Sequence, residues 1–203
     1  MRTVRKCKQV ICGGPSRRSL SASAVILFAA WLAGCGAGPG GMRVRVAGAG
    51  EHEVPARAGY AYAVTKTFTG LDGKVTTAPS YRVFVASYDL DASGKGRTLA
   101  AAPKADGQVK LEFSLVGDEG GNDSTPIKPG DYQAKADKFR KAEAVSVSTV
   151  AGGKENKVAF DRNATTGEVK ISSVSGDTVT GEVNLTSGDS SIKGPFTAKI
   201  IRL

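Results

Sequence analysis

Between Met42 and Leu203 the chain alternates apolar and polar residues with a period of two, and glycine-rich turns separate the alternating stretches. In residues 107–116, valine, leucine and phenylalanine alternate with lysine, glutamate and serine. Successive side chains of a strand point to opposite faces, so this pattern predicts a strand with one face toward a core and the other toward water. Residues 131–143 also fit a helical period, but we predict a strand followed by a loop.

Short strands of this kind recur along the whole segment, with no helical stretch of full length. Besides the one within 131–143, the predicted strands are 42–46, 59–69, 81–90, 107–116, 144–150, 157–161, 168–174, 178–186 and 192–202. This pattern predicts an all-β fold, a single antiparallel β-sandwich of immunoglobulin-like or related type, with a small β-barrel as the alternative. We expect one domain over residues 42–203.

The N-terminal segment has the composition of a secretory signal. Arg17 and Arg18 precede an apolar run over residues 22–31, and small residues follow it. The run is too short to cross a bilayer as a stable helix, which needs about 20 apolar residues. We therefore predict that residues 1–34 are a cleaved signal peptide.

Leu32-Ala33-Gly34-Cys35 resembles the lipobox of bacterial lipoproteins. The resemblance implies that the signal peptidase recognises Leu32, Ala33 and Gly34, and that Cys35 becomes the lipidated first residue, carrying fatty chains such as palmitate. Residues 35–41 then form the lipidated cysteine and a glycine-rich tether. In such lipoproteins an Asp after the cysteine favours retention in the inner membrane. Gly36 takes that position here, which implies the outer membrane of the cell envelope.

The charge of the whole chain gives a misleading impression of its partners. The formal net charge is +9, but the six cations before Cys35 leave with the signal, so the mature chain is near +3. Its basic and acidic residues are interspersed, which does not favour a nucleic-acid partner. Cys7 and Cys12 also precede Cys35, so the mature domain has no cysteine for a disulfide, a thiolate nucleophile or a zinc cluster.

The sequence contains no recognisable catalytic constellation. His52 is its single histidine, flanked by Glu51 and Glu53, and we interpret this triplet as a solvated loop. No G-x-S-x-G elbow, phosphate-binding loop or dinucleotide motif is present. We therefore predict that the protein is not an enzyme and has no cofactor.

Two acidic loops are weak candidates for cation binding. Asp89, Asp91 and Ser93 match the opening of a calcium loop, but the twelfth position, which needs a bidentate Glu, is Ala100. A turn between two strands explains the same residues, so we expect no metal. The loop over residues 118–123 is acidic too, and we expect it to be solvated.

Aromatic residues are concentrated in one third of the domain. They are Tyr60, Tyr62, Phe68, Tyr81, Phe84 and Tyr88. An exposed platform would suit a sugar or peptide, but burial in a core is the stronger prediction.

Together these features predict an envelope lipoprotein that holds a binding or structural β-module at a membrane. Its expected partners are the membrane, through the lipid anchor, and a protein or glycan ligand of unknown identity. The alternative is a small β-barrel that carries an apolar ligand or lipid in the periplasm.

Overall fold

The computed structural model describes residues 41–55, 59–94 and 96–203, and this part of the chain is all-β, as predicted. Helix is confined there to the single turn α1 (Gly96–Leu99). Residues 131–133 belong to a strand and residues 134–140 form turns and bends, which confirms the prediction for this part, but the next strand already begins at Lys141. The strands are β1 (Met42–Val46), β2 (Gly50–Val54), β3 (Gly59–Thr69), β4 (Val75–Ala86), β5 (Val109–Val116), β6 (Gly130–Gln133), β7 (Lys141–Ala151), β8 (Lys154–Ala159), β9 (Thr166–Ser175), β10 (Thr178–Ser187) and β11 (Ser190–Ile200).

These strands form one mixed sheet. Because β10 pairs with both β9 and β11, the order β10-β9-β6-β7-β5-β4-β3-β11 closes into a ring. The β1–β2 hairpin extends from β11, and β8 pairs with β7 outside the ring. The ring is not a regular barrel, since β6 and β7 meet at the single pair Gln133 and Lys141. The β11–β3 and β6–β7 pairings are parallel, so the expectation of a wholly antiparallel sheet is wrong at these two places.

The last three strands form the meander that the sequence predicts. Two-residue turns at 176–177 and 188–189 join β9 to β10 and β10 to β11. On β10 the alternating residues Val179, Val183 and Leu185 are buried. Local alternation is therefore enough to specify the facing of this part of the sheet.

One cluster of buried side chains fills the inside of the ring. Phe113 of β5 and Phe196 of β11 meet edge to face, with ring centroids 5.4 Å apart and planes at 85°. These two strands are not neighbours in the sheet, so their contact crosses the interior. Both side chains are at most 1% exposed. Within the described residues the interior is thus occupied by packed side chains.

A smaller apolar cluster lies on the outer face of β3 and β4. It consists of Tyr62, Phe84, Ala86, Leu90 and Leu99. Val83 belongs to the main cluster, whereas its neighbour Phe84 belongs to the smaller one. Both faces of this part of β4 are therefore covered, because alternate residues enter different clusters. The strand predicted over 81–90 ends earlier, at Ala86.

The outer face of β5 was expected to meet water, and this expectation is wrong. Lys110 and Ser114 are only 3% and 6% exposed. Glu112 forms an ion pair with Arg82 of β4. The Lys110 ammonium donates to the backbone oxygen of Ala100, which follows α1. The connection between β4 and β5 therefore packs over the outer face of β5, which the alternating sequence pattern alone predicted to be exposed to solvent.

Gly181 lies on the core face of β10, where the pairing with β9 is irregular. A Cβ at this position would lie 2.4 Å from the backbone oxygen of Lys170 and 2.9 Å from a ring carbon of Phe196. We expect Gly181→Ala to lower the free energy of unfolding by about 2 kcal/mol, because the core must shift to admit the methyl group. Urea denaturation measures this difference.

Gly107→Ala is the matched control for that substitution. Gly107 has a φ of +78°, but a Cβ there would meet no atom within 4 Å. Gly107→Ala should lower the free energy of unfolding by about 1 kcal/mol, because alanine is disfavoured in the left-handed backbone conformation. A Gly181→Ala loss no larger than this value would contradict the packing argument.

Candidate functional site

The predicted lipidation and cleavage residues, Leu32, Ala33, Gly34 and Cys35, lie outside the described residues. The described chain starts at Gly41, and Met42 is already fully buried in the main cluster. Within the described ranges, no helix has the length and apolar character needed to cross a bilayer.

His52 belongs to strand β2 and not to the solvated loop that we predicted. It pairs with Val44 of β1, and its Nε2 lies 3.0 Å from the backbone oxygen of Ala49. Glu51 and Glu53 are exposed on the other face of the strand. The strand was missed because its sequence, GEHEV, lacks apolar alternation. The alternation of the strand keeps both glutamates away from the imidazole, so the triplet does not converge on one ligand.

The weak metal candidates lie in the connection between β4 and β5. The Asp91 carboxylate accepts hydrogen bonds from the backbone N–H of Ser93 at 2.8 Å and from its hydroxyl at 2.6 Å. These bonds to Ser93 lower the pKa of Asp91. The carboxylate thus stabilises a local turn. Among the described residues, no group of three or more His, Cys, Asp and Glu side chains is arranged to hold a metal ion.

Burial lowers the pKa of the Lys110 ammonium, which lies under this connection. As the pH rises, the native state therefore loses this proton before the unfolded state does. The contribution of Lys110 to the free energy of unfolding then increases until the pH reaches the ordinary lysine pKa. Lys110→Met should lower the free energy of unfolding by about 1 kcal/mol at pH 7, since two hydrogen bonds to backbone oxygens are lost. The deficit should grow as the pH rises toward the ordinary lysine pKa.

Urea denaturation of wild type and Lys110→Met across that pH range tests this expectation. Lys138→Met, which removes a charge from an exposed lysine, is the control for net charge. A deficit that shrinks as the pH rises would contradict the proposed cost of burying the ammonium.

The second acidic loop is held by ion pairs rather than being simply solvated. The Asp118 carboxylate lies 2.8 Å from the Lys128 ammonium and 3.2 Å from the Arg140 guanidinium. The hydrogen bond from Lys128 is the main cause of the lowered pKa of Asp118. Asn122 accepts a hydrogen bond from the Ser124 N–H at 2.9 Å, which closes the next turn.

The aromatic residues are mostly in the two cores, as predicted. Tyr62, Tyr81 and Phe84 are buried, and Tyr62 stacks on Phe84 with ring centroids 5.8 Å apart. Phe68 is partly exposed and packs edge to face against Phe139. These rings therefore stabilise the fold, and they do not form a broad exposed platform.

A large recess lies at one end of the ring, and we call it the end cleft. Its volume is about 730 Å³, in the range of small-molecule sites. It opens where β11 ends beside β3, between the β9–β10 turn and the loop after β5. The lining residues are Ala63, Tyr81, Asp123, Ser124, Pro126, Gly176, Asp177, Ile200, Ile201, Arg202 and Leu203.

The end cleft combines an apolar wall with a few polar groups. The Tyr81 hydroxyl donates to the backbone oxygen of Thr125 at 2.6 Å, which fixes the loop against the wall. The Asp123 N–H donates to the Thr65 hydroxyl at 3.0 Å, so this residue lies next to β3. The Asp123 carboxylate has no hydrogen bond or ion pair within the described part of the chain. Asp177, in contrast, lies 3.5 Å from the Lys199 ammonium.

No family model, curated protein or solved structure matches this chain. The end cleft is therefore a candidate on its geometry and chemistry alone. Sequence reasoning missed it because its walls come from five separate parts of the chain. Strand length gave no signal of it, because β3 is about as long as its neighbours β4 and β11.

Proposed function

We propose that this protein is a lipid-anchored module of the bacterial cell envelope. The observation that carries the proposal is the segment Leu32-Ala33-Gly34-Cys35, followed by glycine-rich residues 36–41. The described strands all lie after this segment, since β1 begins at Met42. Removal of residues 1–34 would thus leave every described strand intact. Several acyl chains on Cys35 would hold the domain firmly, because each buried methylene contributes about 0.8 kcal/mol.

We further propose that the two halves of the ring pack against each other as a β-sandwich. The contact of Phe113 with Phe196 across the interior supports this description. The alternative, a barrel that carries an apolar ligand or lipid, requires an interior void. The packed interior cluster gives the sandwich the stronger support.

The function that the geometry supports best is binding, with the end cleft as the site. A cleft with apolar walls and a few polar groups suits recognition of a protein or glycan. Gly36 after the anchor cysteine supports delivery to an outer membrane. In this proposal the membrane is a partner only through the lipid.

Mass spectrometry of the mature chain, purified from cells fed with an alkyne fatty acid, tests the proposal. We expect the N-terminal peptide to begin at Cys35 and to carry the alkyne-labelled acyl group. A mature chain that retains residues 1–34, or that has an unmodified Cys35 thiol, would exclude the lipid anchor.

A further inference from the structure

Strand β3 extends well beyond the strand that covers its outer edge. β11 pairs with β3 in parallel only at Gly59, Tyr60 and Ala61. The last backbone bond runs from the Ile201 N–H to the Ala61 oxygen, at 2.8 Å. β3 then continues to Thr69, and within the described residues no strand pairs with this remaining edge.

The backbone groups on this edge can be assigned from the pairing. The bond to Ala61 places the odd-numbered residues of β3 with their N–H and C=O toward the β11 side. Thr65 is opposite Pro79, which has no N–H, so Thr65 does not pair with β4 through its backbone. Thr65, Thr67 and Thr69 thus present a row of donors and acceptors, to which no backbone bond is made within the described part of the chain.

This edge lacks the protection that other free edges of the sheet have. The outer edge of β2 carries Glu51 and Glu53, and that of β8 carries Lys154, Glu155 and Lys157. Charged residues on an edge strand oppose the addition of another strand. The free part of β3, VTKTFT, is β-branched and aromatic with a single charge.

The end cleft adjoins this edge and would receive side chains from an added strand. Ala63 lines the cleft and begins the free edge. Asp123, whose carboxylate has no partner in the described residues, is held beside Thr65 by a hydrogen bond. A residue added opposite Thr65 would point to the same face as the Thr65 side chain. A cationic side chain there would lie next to the unpaired carboxylate.

We propose that the edge of β3 from Ala63 to Thr69 binds an extended peptide by strand addition, with a basic side chain of the peptide beside Asp123. Backbone hydrogen bonds would supply affinity, and the end cleft would select alternate side chains. The inference rests on the proposed binding function and names its partner class, a protein segment in β conformation.

Selection of random twelve-residue peptides, displayed on phage, against the full chain in detergent tests this inference. We expect the enriched peptides to be rich in β-branched residues and to share one Lys or Arg at a fixed position. The Thr67→Pro variant should bind them at least about tenfold more weakly, since proline removes the central donor of the edge. Asp123→Asn should weaken binding about fivefold.

Two variants serve as matched controls. Thr67→Val keeps the backbone donor, and Lys157→Pro places a proline on the outer edge of β8, where the backbone also faces away from its partner. Both should bind the selected peptides within about twofold of wild type. In wild type, bound peptide should slow amide exchange at Thr65, Thr67 and Thr69, and leave Lys66 unchanged, because Lys66 already bonds β4.

The outcomes that overturn the inference are distinct. Absence of enriched peptides, or equal binding by Thr67→Pro and wild type, would exclude strand addition at β3. If bound peptide slowed amide exchange only at residues outside 63–69 of wild type, strand addition at β3 would also be excluded. This measurement does not depend on whether Thr67→Pro folds. A dimer that Thr67→Pro abolishes would assign the edge to a second copy of the chain. Cys35→Ser tests peptide binding independently of the lipid anchor. If this unlipidated chain binds the selected peptides, strand addition at β3 holds whether or not the anchor proposal is correct.

Discussion

Cells producing Cys35→Ser are expected to incorporate no alkyne fatty acid into the chain. Under the proposed lipid anchor, serine lacks the thiol that would be acylated, and the signal would lose the cysteine that would mark its cleavage point. A processed protein should move from the detergent-rich phase to the aqueous phase, because no acyl chain would be present to hold it in detergent. An unprocessed protein should remain as a longer precursor. In-gel fluorescence after click labelling, together with phase partitioning, measures both effects.

Cys12→Ser is the matched control, since Cys12 lies in the predicted signal segment and should be absent from the mature protein. Its labelling and its detergent partitioning should equal those of wild type. Fluorescence that persists in Cys35→Ser, or that disappears in Cys12→Ser, would contradict the assignment of Cys35 as the anchor.

The strands could be predicted because their signal is local. In β10 and β11, alternation of apolar and polar residues over ten or more positions specifies both the strand and its buried face. β2 was missed for the same reason, since its five residues contain two glutamates and a histidine. Only its pairing with β1 makes that segment a strand, and a single sequence does not reveal pairing partners.

The end cleft and the free edge of β3 could not be predicted, because both depend on register between distant strands. β11 reaches β3 only at its end, and it is this offset that leaves residues 63–69 uncovered. The burial of Lys110 has a similar origin, since α1 and its flanking loops return over β5. Alternation predicts which face of a strand a residue lies on. Whether that face is exposed to water depends on which other segments of the chain pack over it.

Phe113→Ala is expected to lower the free energy of unfolding by about 3–5 kcal/mol, the usual loss for a fully buried phenylalanine. Phe113 is 0% exposed and contacts Phe196 across the ring. Removing the ring would leave a cavity between strands that are held together mainly by such contacts. Urea or thermal denaturation of the purified chain measures the loss.

Phe113→Leu is the control, because it retains most of the apolar volume and should lower stability by only about 1 kcal/mol. The pair of variants also distinguishes the two architectures proposed for the domain. In a carrier the interior must open for its ligand, so Phe113→Ala would be nearly neutral and would bind apolar molecules more readily. A large loss of stability in Phe113→Ala with a small loss in Phe113→Leu requires instead that the interior of the ring is a packed core, which excludes the interior as a ligand cavity.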